Sequence, residues 1–281
     1  MIKTDTFFVI SNFNTIPNQY LEYCNNYLIY DQSNDNTIIE QLKVSNWNVS
    51  FVKHTGHNLS DYFRFIIDYY HNLPDCIMFL KGNIIGRHLT KSYFEKVYNN
   101  KIFTPLYNDD SFKDSVWVAN LLYEGIYIEI NTDWYVESKP HNYFQTYNQL
   151  LEFIFVNPII PKWLIFSPGA CYIVPKNNIL KYPKEFYTNL YFLVTYRFFP
   201  VEAYHVERMM QVIFTGNYLL NDYMFSTEAF LEVLKNYSMN TSRIVKTKEQ
   251  ILSFRNLISL VKMILYYKAH NWKLNIKRYI N

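Results

Sequence analysis

One short apolar segment in the first third of the chain constrains the fold more than any other feature. Residues 76–80 read Cys-Ile-Met-Phe-Leu without interruption, and the turn-like sequence Leu-Pro-Asp precedes them at residues 73–75. A run of this length predicts a strand buried on both faces, which is typical of parallel sheets covered by helices. The sequence then turns polar at Lys81. Because ligands of open α/β sheets bind outside the carboxyl ends of the strands, this polar end is predicted to face a ligand.

The neighbouring segments predict the rest of that sheet. Apolar runs at residues 7–10, 27–30 and 49–53 predict three more strands, and residues 58–70 carry apolar side chains at helical spacing. This order of strands and helices predicts an α/β fold with a mostly parallel sheet and right-handed crossovers. Further segments predict additional helices at residues 16–24, 90–100, 144–155 and 200–214, and one at residues 179–196 with a break at Pro183. Strands are predicted within residues 116–130 and 171–174.

Composition and charge exclude several classes of protein. The chain has 281 residues, of which 49% are apolar, so it can bury a sizeable core. Its net charge of +3 is too small to indicate a nucleic-acid partner, although it allows a local cationic pocket for a phosphorylated ligand. Cys24, Cys76 and Cys171 lie far apart and match neither a zinc site nor a disulfide framework, which favours a reducing compartment.

The C-terminal segment predicts a helical extension. We divide the chain into a domain at residues 1–220 and an extension at residues 221–281 that packs on it. After Glu249 the extension contains six Lys or Arg residues and no acid. Two interpretations follow: these residues form the solvated face of a helix, or they contact an anionic membrane surface peripherally. The extension could also form a homodimer face. The N-terminus does not match a signal peptide and no apolar run reaches membrane-spanning length, so we predict a cytoplasmic protein.

Four sequence blocks, in this order, carry a resemblance to a known family. They are residues 57–62 (HNLSDY), residues 72–75 (NLPD) with 79–83 (FLKGN), residues 166–170 (FSPGA) and residues 206–208 (VER). Together they resemble a family of glycosyltransferase-like proteins of largely unassigned function and, more distantly, the GT-A nucleotide-sugar glycosyltransferases. The resemblance covers residues 5–220. It implies a GT-A-like, Rossmann-like sheet flanked by helices, and transfer of a sugar from a nucleotide-diphosphate donor to a glycan or glycolipid.

The resemblance also implies a donor site at the ends of the first strands. A helix N-terminus and an arginine suit a phosphate group, and an acid after the second strand suits a base or ribose. For Asp31 and Arg64, a structural cap or surface ion pair is an equally good interpretation. The donor-site residues implied by the resemblance are Ser11, Asn12, Asn14, Asp31, His57, Asn58, Asp61, Arg64, Lys81, Gly82, Asn83, Arg87 and His88.

The end of the central strand departs from the GT-A pattern. In that pattern an Asp-x-Asp pair holds a divalent cation, whereas this chain has Lys81, Gly82 and Asn83. Divalent cations prefer charged oxygen ligands, and Asn supplies one neutral carbonyl. Two alternatives follow. Either no metal is required because Lys81, Arg87 and His88 neutralise the leaving diphosphate, or other acids hold Mn²⁺ or Mg²⁺. We favour the cationic route.

The remaining implied residues concern the acceptor and the chemistry. The segment with Ser167, Gly169 and Ala170 resembles the turn that leads into the strand under the acceptor. The helix after residue 200 occupies the position of the catalytic acid, and Glu207 matches that position, with Glu202 and His205 nearby. An inverting transferase needs a general base for the acceptor hydroxyl, which we assign to Glu207. A structural ion pair of Glu207 with Arg208 or Arg64 is the competing interpretation.

A second hypothesis comes from another class of protein. A chain that kept the fold but lost the chemistry would bind a carbohydrate or a nucleotide, and the missing acidic pair supports this alternative. A glycoside hydrolase would need two facing carboxylates, and the sequence offers no such pair. The transferase is therefore the first hypothesis and the binding protein is the second.

Overall fold

The structure, a computed structural model, describes residues 2–108, 127–136 and 143–240 of the chain, with side chains described up to residue 237. The strands in these residues are β1 (Phe7–Asn12), β2 (Tyr27–Asp31), β3 (Val49–Phe51), β4 (Cys76–Lys81), β5 (Thr104–Pro105), β6 (Tyr127–Ile130), β7 (Trp163–Phe166) and β8 (Tyr172–Pro175). The α-helices are α1 (Asn36–Val44), α2 (Leu59–Tyr69), α3 (Lys91–Val97), α4 (Tyr147–Ile154), α5 (Lys176–Ile179), α6 (Lys184–Thr195), α7 (Val201–Thr215) and α8 (Thr227–Asn240).

Six strands form a mostly parallel sheet in the order β3-β2-β1-β4-β8-β5. The first four of these are mutually parallel, and β8 runs antiparallel to both of its neighbours. The parallel register sets Ser11 beside Lys81 and Asn12 beside Asp31. The predicted α/β class with a mostly parallel sheet flanked by helices is therefore confirmed.

A separate two-stranded sheet pairs β6 with β7 in antiparallel register, from Tyr127 opposite Phe166 to Ile130 opposite Trp163. This sheet carries Glu129 and runs directly into the turn at residues 167–170. It contacts α7 and thereby joins that turn to the helix bearing Glu207. The antiparallel pair is therefore part of the frame of the site described below.

The side chains of β4 alternate between two hydrophobic clusters. Ile77 and Phe79 belong to the cluster that includes α2, α6 and α7, whereas Met78 and Leu80 belong to the cluster that includes α3. All four are fully buried. The predicted burial of this strand on both faces is confirmed, because helices cover the sheet on each side.

Two helices differ from the sequence-based predictions. The helix predicted at residues 16–24 is only a 3₁₀ turn at Pro17–Tyr20, and Cys24 instead forms a β-bridge with Thr4. Helix α1 was not predicted. It buries only Leu42, so its apolar periodicity is weak, and its clearest signal is Asp35, whose side chain accepts a hydrogen bond from the Thr37 amide as an N-cap.

The predicted C-terminal extension lies partly within the described residues. Phe230 and Leu234 of α8 are buried in the same cluster as Phe153 and Leu193, so this part packs on the larger body. Residues 241–281, with the basic segment, lie outside the described residues, as does the predicted strand region at 116–126. The boundary at residue 220, the membrane contact and the homodimer stay predictions. Within the described part of the chain, every helix is too short or too polar to cross a bilayer.

The burial of β4 gives a test of the fold. Phe79 is fully buried and its ring lies 4.9 Å from that of Tyr62 and 6.1 Å from that of Phe214, centroid to centroid. We expect Phe79→Ala to lower the free energy of unfolding by about 3–5 kcal/mol, because it removes buried apolar area and leaves a cavity. Urea unfolding measures the change.

Phe225→Ala is the matched control for this prediction. The Phe225 side chain is 55% exposed. Its removal is expected to change the unfolding free energy by no more than about 0.5 kcal/mol. Equal effects of the two substitutions would contradict the assignment of β4 to the centre of the core.

Candidate functional site

A cleft of about 540 Å³ opens at the carboxyl ends of β1 and β4. Strand order reverses there, because β2 and β3 follow β1 on one side and β4 lies on the other. Such a topological switch point leaves a crevice where open α/β sheets bind ligands. The cleft is lined by Ser11, Phe13, Thr15, Gln32, His54, Gly56, His57, Asn58, Leu59, Lys81, Gly82, Asn83, Arg87, His88, Tyr127, Trp134, Phe166, Pro168, Gly169, Phe198, Phe199, Ala203, Tyr204, Glu207 and Arg208.

Two cations line the cleft without a protein partner. Within the described residues, neither the Lys81 ammonium nor the Arg87 guanidinium forms a hydrogen bond or ion pair. Arg87 is exposed, whereas Lys81 is largely buried at the end of β4, and burial lowers the pKa of its ammonium. Because a largely buried ammonium is destabilised without a directly paired counter-charge, Lys81 favours an anionic ligand, and the exposed Arg87 guanidinium adds positive charge to the same cleft.

Gly82 allows the chain to pass closely over the end of β1. Its amide donates to the Ser11 carbonyl at 2.8 Å. A Cβ at this position would lie 2.3 Å from Asn12 Oδ1 and 2.7 Å from Thr15 Oγ1. Both atoms are fixed, since Thr15 Oγ1 donates to Asn12 Oδ1 at 2.5 Å and Asn12 Nδ2 donates to Asp31 Oδ1 at 2.8 Å. Glycine at this position therefore keeps the cleft floor intact.

Gly169 connects its own sequence block, residues 166–170, to each of the other three blocks. Its amide donates to Glu207 Oε1, and its carbonyl accepts from Asn58 Nδ2. Its φ of +79° is in the left-handed region, and a Cβ there would lie 2.6 Å from Lys81 Cδ. Only glycine meets both conditions without strain. The turn thus holds the start of α2, the end of β4 and the middle of α7 together around the cleft.

A buried arginine holds the Glu207 carboxylate from its other side. Arg208 Nη1 lies 3.4 Å from Glu207 Oε2. The guanidinium forms a buried ion pair with Glu129 and lies 3.9 Å from the Tyr135 ring centroid and 4.8 Å from that of Phe166. Glu207 is therefore fixed by an amide and a guanidinium while its side chain stays 20% exposed to the cleft.

The acids of the cleft do not form a divalent-cation site. Among the described lining residues Glu207 is the one carboxylate, and no group of three His, Cys, Asp or Glu within the described ranges could hold a metal ion. The end of β4 supplies a cation and a neutral amide, Lys81 and Asn83. Hard divalent cations require several charged oxygen ligands, so these residues do not fit one.

A buried acid lies beneath the cleft floor. Asp61 Oδ2 accepts from Ser11 Oγ at 2.5 Å and from Gln32 Nε2 at 2.7 Å. Burial raises the pKa of this carboxyl to about 7, and the hydrogen bonds from Ser11 and Gln32 oppose the shift. Asp61 therefore fixes the ends of β1 and β2 from below.

The structure brings ten of the predicted site residues to the cleft wall, and they are Ser11, His57, Asn58, Lys81, Gly82, Asn83, Arg87, His88, Gly169 and Glu207. Asn58 does not cap α2 with its side chain, because its amide reaches Gly169 instead. His57 donates through Nε2 to the Val194 carbonyl at 2.6 Å, and burial lowers the pKa of the imidazole to about 4, so the ring is neutral.

Four other predicted donor residues support the cleft from outside it. Asn12 and Asp31 are buried partners of each other, and Asp61 lies below Ser11. Asn14 takes part in a surface loop, where its amide donates to Asn34 Oδ1 at 2.8 Å. These positions fit hydrogen-bonded support for the strand ends more directly than contact with a ligand.

Arg64 and two of the acceptor-side turn residues, Ser167 and Ala170, also lie off the cleft wall. Arg64 Nη2 donates to Tyr191 Oη at 2.9 Å between α2 and α6, so its structural interpretation fits best. Ser167 is buried and donates to the Leu106 carbonyl at 3.0 Å. Ala170 is buried with a φ of +51°, next to Gly169. Ser167 and Ala170 therefore support the turn from its buried side.

Glu202 and His205 are the two alternative catalytic residues, and neither lines the cleft. The Glu202 carboxylate accepts from the Tyr143 and Phe144 amides and from Tyr196 Oη, so it anchors the chain against the start of α7. His205 is fully buried, with Nδ1 2.8 Å from Tyr135 Oη. Glu202 and Glu207 have separate surroundings, which their five-residue spacing on one helix predicts.

Sequence reasoning did not assign several cleft residues. Phe13, 43% exposed, stacks on His54 with ring centroids 4.5 Å apart, and Trp134 and Phe198 are 56% and 59% exposed. Arg208 was considered only as a partner for Glu207. The available signal was the aromatic loop around residue 134, but aromatic residues are frequent throughout this chain, with 27 Tyr and 22 Phe, so that signal is weak.

Comparison with known proteins gives one match. A family model described as "Protein of unknown function (DUF3431)" matches residues 21–224. Searches of curated proteins and of solved structures return no match. The matched range includes the cleft residues from Gln32 to Arg208 and excludes Ser11, Phe13 and Thr15.

The raised pKa of Asp61 predicts a pH-dependent stability. Between about pH 4 and pH 7 the unfolded chain has released this proton while the folded chain keeps it. The free energy of unfolding should therefore fall as the pH rises through this window and level off above it. The contribution of Asp61 is expected to reach up to about 4 kcal/mol.

Urea unfolding of the wild type and of Asp61→Asn across this pH range isolates that contribution. The neutral amide does not titrate, so the variant should lose less stability than the wild type as the pH rises. Other buried acids, such as Asp133, whose pKa burial raises to about 6, remain in both proteins and cancel in the difference. Parallel pH profiles for the two proteins would contradict the prediction.

Proposed function

The chain belongs to the family described as "Protein of unknown function (DUF3431)", and from the cleft geometry we propose that it is a glycosyltransferase. It would move a sugar from a nucleotide-diphosphate donor to a glycan or glycolipid acceptor. The observation that carries the proposal is the arrangement of charges in one cleft. Among the described residues Lys81 and Arg87 have no side-chain partner, and they share the cleft with one fixed carboxylate, Glu207.

The sheet supports the position of the donor. The cleft lies at the switch point between β1 and β4, where nucleotides bind in open α/β sheets. A mostly parallel sheet with one antiparallel strand, β8, next to β4 fits the GT-A-like fold that the resemblance implies. In this proposal the nucleoside lies over the end of β1 near Ser11, and the diphosphate extends towards Lys81 and Arg87.

The cations supply the stabilisation that a departing diphosphate requires. As the bond from the anomeric carbon to the β-phosphate oxygen breaks, its electron pair and negative charge move onto the nucleoside diphosphate. Lys81 and Arg87 offer ammonium and guanidinium N–H donors to that developing charge. The described residues at the end of β4 do not fit a divalent cation, so the proposal assigns the neutralisation of the diphosphate to Lys81 and Arg87.

Glu207 serves as the general base in the proposed mechanism. An acceptor hydroxyl attacks the anomeric carbon from the face opposite the leaving diphosphate, and this attack inverts the configuration at that carbon. The proton of the hydroxyl passes to the Glu207 carboxylate. The Gly169 amide and Arg208 hold the carboxylate in one orientation. Burial lowers the pKa of the Lys81 ammonium, and the charge of Glu207 opposes that shift. A base must be held within hydrogen-bond reach of the proton it takes, and this frame provides that restraint.

The first test replaces the base without changing its shape. Glu207→Gln is expected to lower the transfer rate by roughly 10²–10⁴-fold while nucleotide binding stays unchanged, because the amide cannot accept the proton. Product formation from a panel of nucleotide sugars and acceptors measures the rate. Glu40→Gln is the control, since Glu40 is exposed on α1 outside the cleft. Full transfer activity in Glu207→Gln would remove Glu207 as the base.

The second test concerns the cations. Calorimetric titration of nucleoside diphosphates in the presence of a chelator is expected to show binding that weakens as salt is added, because exposed charges are screened. Lys81→Ala and Arg87→Ala should each weaken binding by roughly tenfold or more, the effect of losing a charge-assisted hydrogen bond. Lys43→Ala, on α1 and outside the cleft, is the control. Binding that requires added Mn²⁺ would contradict the cationic route.

One observation favours the second candidate, a carbohydrate- or nucleotide-binding protein without transfer activity. Both Glu207 oxygens already have a protein donor nearby, from Gly169 and Arg208, so neither oxygen is free of protein contacts to meet an acceptor hydroxyl. Such a protein would bind a nucleotide or a glycan and leave every nucleotide sugar intact. Slow hydrolysis of a bound nucleotide sugar by the wild type, abolished in Glu207→Gln, would rule out this candidate.

A further inference from the structure

We infer that the exposed face of Trp134 is the binding surface for the terminal sugar ring of the acceptor. This inference rests on the proposed transferase function and identifies the acceptor as a carbohydrate. Trp134 lines the cleft, yet its side chain is 56% exposed. A large aromatic ring left open inside a cleft is a typical site of ligand contact, because covering it removes much apolar area from water.

The indole ring is held in a fixed orientation. Its Nε1–H donates to Glu129 Oε2 at 3.3 Å, and its ring meets that of Tyr135 edge-on at a centroid distance of 5.8 Å. Glu129 is itself buried and paired with Arg208. A ring that is anchored before binding loses little conformational freedom when a ligand covers it, so the stacking energy is retained as affinity.

Arg208 links Trp134 to the proposed base, Glu207. The Arg208 guanidinium carbon lies 5.8 Å from the Trp134 ring centroid, and Arg208 Nη1 lies 3.4 Å from Glu207 Oε2. A sugar that covers the exposed indole would lie in the same cleft as Glu207, with the Arg208 guanidinium between the indole and the carboxylate. In the proposed complex one of its hydroxyl groups reaches Glu207, as proton transfer requires.

The chemistry of the two sides of the cleft favours a sugar over a nucleobase at Trp134. Lys81, next to Ser11 on the neighbouring strand, attracts the diphosphate to the β1–β4 side. That side has its own exposed aromatic surface, the Phe13 ring stacked on His54. Trp134 lies instead with Glu129 and Arg208. A pyranose offers an apolar C–H face to the indole and hydroxyl donors to the nearby carboxylate, which matches both features.

Direct glycan binding tests the inference without any donor. Calorimetry on the full chain would use a panel of soluble gluco-, manno- and galacto-oligosaccharides, and vesicles that carry a glycolipid would distinguish a free glycan from a lipid headgroup. For a glycan that binds the wild type, we expect Trp134→Ala to weaken binding by roughly tenfold or more. Trp134→Phe should retain much of the affinity, and Phe225→Ala, an equally exposed ring outside the cleft, should retain all of it.

Fluorescence provides a second readout that does not depend on the stability of Trp134→Ala. Glycan binding should change the tryptophan emission of the wild type, and the change should disappear in Trp134→Phe although this variant still binds. Three results would overturn the inference: no glycan or glycolipid binds the wild type, glycan binding is equal in Trp134→Ala, or Trp134→Ala loses nucleotide binding and keeps glycan binding.

The outcome is separable from the test of the proposed function. Loss of glycan binding in Trp134→Ala, together with an absence of nucleotide-sugar binding or turnover in the wild type, would support the sugar surface and contradict the transferase. Nucleotide-sugar hydrolysis that depends on Glu207, with glycan affinity unaffected in Trp134→Ala, would support the transferase and contradict the sugar-binding surface at Trp134.

Discussion

The turn at Gly169 is the constraint on which the cleft depends. Its amide binds Glu207, its carbonyl binds Asn58, and its missing side chain leaves room for the Lys81 stem. Each of these partners comes from a different element of the fold, namely α7, the start of α2 and the end of β4. A side chain at residue 169 would oppose both the left-handed backbone and the Lys81 contact. The cleft therefore has its shape because one glycine permits three elements to converge.

The charges of the cleft follow from this convergence. In the part of the chain that the structure describes, Lys81 and Arg87 have no side-chain partner, whereas Arg208 pairs with both Glu129 and Glu207 among aromatic rings. One part of the cleft is thus prepared for an anion, and another combines a fixed carboxylate with the exposed indole of Trp134. This division is the physical basis for assigning a diphosphate donor to the first part and a sugar acceptor to the second.

The sequence predicts the parts of this arrangement that depend on local pattern. The buried run at residues 76–80 identifies the central strand, and the polar residues after it identify the ligand-facing end. Tertiary contacts determine which of the predicted residues reach the cleft, and the sequence alone could not predict those contacts. Whether Arg64 reaches the cleft depends on the packing of α2 against α6, where its guanidinium donates a hydrogen bond to Tyr191 Oη. Glu202, Glu207 and Trp134 differ in their surroundings because of how α7 meets the antiparallel β6–β7 pair, and no local pattern encodes that contact.

The most direct measurement of the central claim is a crystal structure of the protein with a non-hydrolysable nucleotide-sugar analogue. The account predicts diphosphate oxygens within hydrogen-bond distance of the Lys81 and Arg87 side chains, with no metal ion between them. It also predicts that the anomeric carbon is open towards Glu207. An analogue bound outside this cleft, or a diphosphate bridged to carboxylates by a divalent cation, would contradict the account.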